Sequence, residues 1–441
     1  ALAAAELALT RNTEREAELV RSLLGARSNL DATRAELTRL GLAPDQLGKW
    51  HLAALSRDDL HGGAPYFTQE LFDARRAVFS AAMALHKSFI VTAWQPLRKS
   101  LSAFVSVLTG GIHPDKVAGG VAQLWDAFFL VVPVVSTTFA SFPRLFTGMR
   151  RESLAWLLID EAGQAAPQQA VGAIWRARRT ILVGDPRQLE PVVGVPEELI
   201  SPLLERCGAE RQWAPPLASA QTLADRANRF GMYIGDGDER IWLGAPLLVH
   251  RRCLDPMFTI ANGIAYNDKM VYGSAPDKGG EGIGPSRWID MPATGAQGHW
   301  IESQARHALL LVERITGGAL KCDDGQFKVY IVTPFRMVFL KIKELLVERY
   351  GDDCKGMFGT VHTFQGKEAE HVIFLLGGDP RQPGVIANFA GKKPNLVNVA
   401  VTRAKRRLYV IGDRNYWTGP SDVFMIYQRM AALLPIERVA P

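Results

Sequence analysis

Residues 154–193 read LAWLLIDEAGQAAPQQAVGAIWRARRTILVGDPRQLEPVV. An apolar run ends in Asp160-Glu161, a short amphipathic segment follows, and a second apolar run ends in Gly184-Asp185-Pro186-Arg187-Gln188. Each run is too short to cross a bilayer and bulky enough for a strand buried on both faces. Strand, crossover helix and strand make a βαβ unit, which closes right-handed. Open α/β sheets bind ligands beyond the carboxyl ends of their strands, so both polar clusters are expected to face one site.

The residue types at those ends suit nucleoside triphosphate hydrolysis. Magnesium keeps several waters and takes only one or two carboxylates. Asp160 is the candidate metal ligand, and Glu161 the group that polarises an attacking water. Taken alone, an acidic pair at a strand end is more often a helix cap or a solvated end. Gln188 changes the balance, because its amide can accept from a water and donate to a γ-phosphate. Gly184 and Asp185 belong to a tight turn on either reading.

Asp160-Glu161-Ala162 followed by Gly184-Asp185-Pro186-Arg187-Gln188-Leu189 resembles motifs II and III of superfamily 1 helicases, in the branch of the nonsense-mediated-decay helicase and its bacterial relatives. The resemblance runs from about Pro133 to Asp413, with the motifs in order. It implies two RecA-like parallel-sheet domains, ATP with Mg2+ as cofactors, and single-stranded DNA or RNA as partner, with movement 5′ to 3′. Arg252, in LLVHRRCLDPM, matches the family arginine that reaches the γ-phosphate from the second domain. Arg251 stands where many relatives carry an aromatic ring against adenine, and a guanidinium plane can also stack. Leu254-Asp255 replaces the family's His-Pro. Thr137 and Thr138 match a hydroxyl motif that touches nucleic-acid backbone, though strand-end hydroxyls also bond local backbone. Thr333-Pro334-Phe335 resembles motif IV, its Thr contacting phosphate. Phe358–Gln365 with Gly366-Lys367-Glu368 resembles motif V, with Thr360 and Thr363 toward nucleic acid and Gly366, Lys367 and Glu368 toward the nucleotide. NLVNVAVTRAKRR, residues 395–407, resembles motif VI and makes Arg403 a second arginine finger.

A length of 441 residues suits two or three domains. The net charge of +6 permits nucleic-acid binding without demonstrating it. Cys207, Cys253, Cys322 and Cys354 are far apart with no CxxC pair, which argues against a zinc site or a disulfide framework. A reducing, cytoplasmic setting and no membrane partner are expected. The first residues mix Ala and Leu with Glu6 and Arg11, unlike a signal peptide.

Along the chain, Leu2, Leu9, Leu23, Leu30 and Leu37 recur at sevens, with Glu16 breaking the series. Residues 1–46 are therefore read as long helix, either a coiled-coil arm or a helix packed on its own domain. Residues 47–67 read as loop, and 69–108 as two helices interrupted near Trp94–Pro96. On resemblance, 1–118 form a helical insertion or stalk, 119–235 the rest of an incomplete first RecA-like domain, and 236–441 the second. Residues 130–139 read as a strand, and 196–216 and 231–238 as loop-rich. Strands are expected at 287–291, 328–332, 372–376 and 407–412, with helices at 301–315 and through Tyr350.

The phosphate-cradling loop G-x-x-x-x-G-K-[ST] is not found. Gly366-Lys367 runs into Glu368, and Gly391-Lys392 into Lys393, so neither offers the hydroxyl for magnesium. With Ala1 in place of an initiator Met, a chain truncated upstream is the simplest expectation, and with it weak or absent ATP turnover and a first sheet short of a strand, its apolar surface prone to association. The alternative is a non-catalytic nucleic-acid-binding or scaffold protein of helicase descent. Retention of Asp160, Glu161, Gln188, Arg252 and Arg403 argues against it.

Overall fold

The computed structural model describes residues 2–39, 56, 58, 61, 69–117, 120–235, 240–277, 283–364, 366–382, 394–420 and 424–439. The chain divides into two compact units, Ala1–Arg75 and Arg76–Pro441. Among its described residues the first holds the long helix α1 (Leu2–Arg39). The described side chains of α1 are exposed, Leu23 and Leu30 of the heptad series among them. The loop read at 47–67 lies outside the described residues apart from Ser56, Asp58 and His61.

The expected pair of helices is present as α2 (Gln69–Thr92) and α3 (Trp94–Leu108), turning by 83° at Ala93. Among the described residues no single helix is long and apolar enough to cross a membrane. Helix α3 packs on α4 (Val121–Phe129) through Phe104 and Trp125, whose rings meet edge-on at 4.8 Å. Phe142 and Phe146 join this aromatic cluster, which seats Leu154, Ala173 and Ala177 of the following βαβ unit.

That unit forms as read: β1 (Leu154–Ile159), α5 (Pro167–Arg176) and β2 (Ala177–Leu182), the strands parallel. The expectation of strands buried on both faces is corrected. Among the described residues β1 and β2 pair only with each other, and Trp156, Leu158 and Ile181 stay 55%, 69% and 44% exposed. Among the described residues no further strand or helix covers that face, so bulk alone does not bury it. An apolar hollow of about 1320 Å³ runs beside β2, lined by Ile181, Val183, Ala224 and Leu247 among others.

Two further corrections concern the surrounding segments. Residues 132–138 carry no strand pairing: Pro133 has no amide to give, and Val134 is 80% exposed. The stretch read as loop after residue 196 instead contains α6 (Glu197–Cys207), which holds Pro202 and ends on a left-handed Gly208, and a hairpin of β3 (Gly231–Ile234) with β4 (Ile241–Gly244); a short parallel pair, β5 (Val249–His250) and β6 (Val271–Tyr272), follows. Several prolines outweighed the helix signal in the sequence.

The C-terminal half is built on a six-stranded sheet in the order β12-β7-β11-β10-β8-β9, parallel throughout. Its strands are β7 (Arg287–Asp290), β8 (Val329–Thr333), β9 (Phe358–Thr360), β10 (Ala369–Leu375), β11 (Ala404–Gly412) and β12 (Ile436–Arg438). Strand β12 escaped the sequence reading because IER carries no apolar run. Central strands such as Val372-Ile373-Phe374 are wholly buried, as crossover helices on both faces require. Those helices include α7 (Glu302–Thr316) and α8 (Arg336–Tyr350), close to their expected bounds. The architecture is α/β, one parallel sheet complete and the other reduced to two strands, with helices N-terminal to both.

Candidate functional site

Beyond Ile159 the chain turns sharply, with Glu161 at φ +52°, a left-handed conformation for a non-glycine residue. Asp160 Oδ1 accepts from the Glu161 amide, and Glu161 Oε2 accepts from Gln164 Nε2, each at 3.0 Å. The turn is pinned to the end of β2 by Ala162 N donating to Val183 O at 2.8 Å. This close approach explains Gly184: a Cβ there would lie 2.7 Å from Gly163 N and 3.0 Å from Ala162 N. The two polar clusters thus sit side by side, as the βαβ reading demands.

Past Gly184, Asp185 is the hub of the next turn. Its Oδ1 accepts from Arg187 N at 2.9 Å, and its Oδ2 from Gln188 Nε2 at 3.0 Å. Oδ2 also accepts from the hydroxyl of Tyr266, which follows α9 (Met257–Ala265) of the other half. Burial, with the Asp185 charge next, pushes the Tyr266 phenol well above its ordinary pKa, so the hydroxyl keeps the proton it donates. Asn398, on α10 (Asn395–Val401), donates through Nδ2 to Tyr266 Oη at 2.8 Å and to Arg187 O at 3.0 Å. Asn395 donates to Gln188 O.

The opposite wall carries the cations. The Arg251-Arg252-Cys253 turn is fastened to the start of β11: Leu254 N donates to Lys405 O at 2.8 Å, and Cys253 Sγ to Thr402 O at 3.5 Å. Burial raises the Cys253 thiol to about 12, so it stays protonated and structural. Arg252 Nε lies 2.9 Å from Glu368 Oε2, and Lys405 Nζ 2.8 Å from Glu368 Oε1. The Lys405 hydrogen bond, reinforced by the charges of Lys405 and Arg252, holds the Glu368 carboxyl below its ordinary range.

Asp185, Gln188, Arg251, Arg252, Glu368 and Lys405 all line one cleft of about 600 Å³. One wall follows a strand end of the small sheet; the other comes from loops around the large one. An anion held there would meet three cations against one glutamate and one aspartate already satisfied by hydrogen bonds.

Comparisons with known proteins fall on the same two walls. AAA-domain family models match residues 123–194 and 292–415, the segments that carry Gln188 and Glu368 with Lys405. The DNA polymerase alpha-associated DNA helicase A of Schizosaccharomyces pombe is 32% identical over 131 residues, 29% of this chain and 19% of that protein. The DNA replication ATP-dependent helicase/nuclease DNA2 of Gallus gallus is 20% identical over 260 residues, 58% of this chain and 22% of that protein. These matches support a superfamily 1 helicase family for the segments they cover. The matched stretches span about a fifth of the length of these curated relatives. A solved structure, the arterivirus nonstructural protein 10 helicase, is 14% identical and covers 58% of this chain and 38% of that one with a TM-score of 0.27, too loose to bear on the argument.

The helicase motifs do not all present their side chains to the cleft. Asp160 and Glu161 do not line it, although the Glu161 charge acts on Arg403. Arg403 itself is 1% exposed and donates to the carbonyls of Val399, Phe364 and Lys367 and to Thr402 Oγ1. Burial first, then the neighbouring Arg252 charge, lowers its pKa. In this conformation the expected second finger is a buried brace joining motif VI to the motif V loop. Thr333 is likewise wholly buried, its hydroxyl accepting from Phe335 N at 3.3 Å, so it offers no hydroxyl to a phosphate here. Thr360 and Thr363 place their hydroxyls 3.1 Å apart at the carboxyl end of β9, with Thr363 exposed. Thr138 accepts from Ser141 N, the local bonding weighed for it, and Thr137 bonds Thr138 O. Gly366 at φ +75° and exposed Lys367 form the loop leading to Glu368.

Tyr266, Asn395, Asn398 and Lys405 were not singled out in the sequence. Lys405 follows Arg403-Ala404 in motif VI and was legible as a basic neighbour. Tyr266 gave no signal, because a tyrosine beside a helix is ordinarily core until a partner for its hydroxyl is known.

Proposed function

We propose that this chain is part of an ATP-dependent helicase or translocase motor acting on single-stranded nucleic acid. DNA is the favoured strand, since both relatives are named for DNA. The observation that carries this reading is the convergence of Gln188 and Arg252 from opposite walls on one cleft with Glu368 and Lys405. Residues 1–118 would be an accessory helical insertion, 119–235 the remainder of the first motor domain and 236–441 the second. Movement 5′ to 3′ is assigned from the resemblance alone.

The residues present fit a magnesium nucleoside triphosphate in part. Asp160 is an exposed carboxylate at a strand end, one of the few that magnesium needs, and would hold the ion. Bound nucleotide supplies the phosphoryl group to be transferred to water. Arg251, Arg252 and Lys405 bind and neutralise its phosphates, Arg252 leaving Glu368 to do so. Gln188 would orient the attacking water, and Glu161, which does not line the cleft in this conformation, would have to turn toward it to draw the proton. Arg403 acts by bracing the loop that presents Glu368. Cleft closure and opening would step the motor along the strand, which Thr360 and Thr363 would touch.

The 441 residues contain no G-x-x-x-x-G-K-[ST], so this polypeptide by itself is expected to turn over ATP weakly or not at all. The test is ATP hydrolysis, with and without single-stranded DNA, by the protein expressed from its complete reading frame. Strand-stimulated turnover supports a motor. Tight strand binding without turnover would favour the non-catalytic alternative.

A further inference from the structure

The bend that carries Arg251 and Arg252 is closed by a side chain. Cys253 is wholly buried, so its amide needs a partner. In an ordinary four-residue turn that partner is the first carbonyl. Here His250 O accepts instead from Gly273 N at 2.9 Å, continuing the pairing of β5 with β6. The Cys253 amide donates to the imidazole, with His250 Nε2 at 3.0 Å. The ring packs on Phe258 of α9, 5.6 Å between centroids. Beyond the bend, the Ser274 hydroxyl donates to Cys253 O at 2.8 Å and Leu254 N to Lys405 O at 2.8 Å. The flanks are thus fixed to neighbouring segments, and the ring ties the two ends of the bend to each other. A backbone amide can only donate, so Nε2 must be bare and the neutral ring carries its proton on Nδ1. An imidazolium has no acceptor to offer.

We infer that His250 is a positioning residue for Arg252: its unprotonated Nε2 closes the bend on which Arg251 and Arg252 stand, and protonation of the ring opens it. A bend held at both ends lets Arg252 exchange Glu368 for a phosphate by moving its side chain alone. Burial, with the Arg252 charge next, lowers the pKa of the ring, so the closing form is the one held at neutral pH. The charged groups that share the cleft with the ring are Asp185, Arg251, Arg252, Glu368 and Lys405. Both carboxylates are engaged, Asp185 by Arg187 N, Gln188 and Tyr266, and Glu368 by Arg252 and Lys405. This rests on the reading of Arg252 as a phosphate-binding group but makes a claim of its own about the ring.

Two measurements separate the two. On the 441-residue chain, 15N labelling of histidine distinguishes the tautomers, the His250 signals being assigned by their loss in His250→Gln. The wild type shows a bare Nε2 and a protonated Nδ1 at neutral pH, and the ring titrates below the ordinary histidine value of about 6.5. In the complete protein, His250→Phe keeps a packed ring without an acceptor and lowers kcat for ATP on the order of 10-fold. His250→Gln, whose amide oxygen can accept in place of Nε2, restores most of that loss. Because Gln does not titrate, the ratio of wild-type to His250→Gln kcat falls as pH drops through the His250 titration. A ring that only filled space would leave that ratio constant. In an Arg252→Ala background His250→Phe has no further effect. A neutral ring protonated on Nε2, a ratio that ignores pH, or multiplicative effects of His250→Phe and Arg252→Ala on kcat overturns the inference. The tautomer and the ratio do not use His250→Phe, so they decide the claim should that variant fail to fold. Absence of ATP turnover in the wild type sinks the motor reading, while the tautomer still decides whether the ring closes the bend.

Discussion

Arg252 Nε and Glu368 Oε2 stand 2.9 Å apart on one wall of the cleft, so this arginine rests on a carboxylate rather than on open solvent. The pair is partly exposed, at 42% and 36%, which screens it and keeps its contribution to stability small. Its interest is as a neutralised cation that an incoming phosphate must take over. Arg252→Ala should therefore reduce ATP turnover of the complete protein by on the order of 100-fold while leaving the unfolding midpoint nearly unchanged. Steady-state kinetics beside thermal unfolding check this, and a large loss of stability would argue against it.

The same pair sets a pH dependence. The folded protein holds the Glu368 carboxyl below its ordinary value, with Lys405 the first cause. The stabilisation is present in full above the unfolded value, about 4.3, and fades as pH falls through the lower folded value. The stability difference between wild type and Glu368→Gln should shrink on acidification through that window. Urea unfolding at stepped pH measures it; a difference that grows toward acid would contradict the assignment.

Gly184 is where the two functional turns touch. Gly184→Ala puts a methyl 2.7 Å from a backbone nitrogen that cannot swing aside, and should cost about 1–3 kcal/mol. Denaturant unfolding reads this directly. Because Ala162 and Gly163 move with it, the geometry of Asp160 and Glu161 should change as well.

Arg403 separates bracing from finger chemistry. Replacing it with Ala strands the carbonyls of Val399, Phe364 and Lys367 in the interior and should lower stability by about 2–4 kcal/mol. An exposed finger would lose activity with no such cost. Thermal unfolding of Arg403→Ala and Arg403→Lys distinguishes them, since Lys cannot reach all three acceptors.

Leu158 and Ile181 are cross-strand neighbours on the open face of the small sheet, both exposed. Threonine at both positions keeps strand propensity and removes apolar surface. The double variant should self-associate less in sedimentation velocity, with stability within about 0.5 kcal/mol of wild type.

Much of this architecture was legible because buried parallel strands are continuous apolar runs, and Ile331 or Phe374 leaves little choice. The strand ends were legible too, since Asp160-Glu161 and Gly184-Asp185 punctuate such runs. What the sequence hid was contact between distant segments. Arg252 and Arg403 both look like exposed cations in a linear reading, yet one faces the cleft and the other is buried. Burial depends on Phe364 and Lys367, which approach only when the sheet is assembled. Tyr266 is the clearer case: its partners lie 81 residues before it, at Asp185, and 132 after it, at Asn398.

The central claim, that Gln188 and Arg252 complete one hydrolytic cleft, is tested most directly by strand-stimulated ATP turnover of the complete protein and of its Gln188→Ala and Arg252→Ala variants. The account predicts turnover that rises with single-stranded DNA and falls on the order of 100-fold in each variant, with strand binding retained. Turnover that survives both substitutions would place the chemistry elsewhere and contradict it.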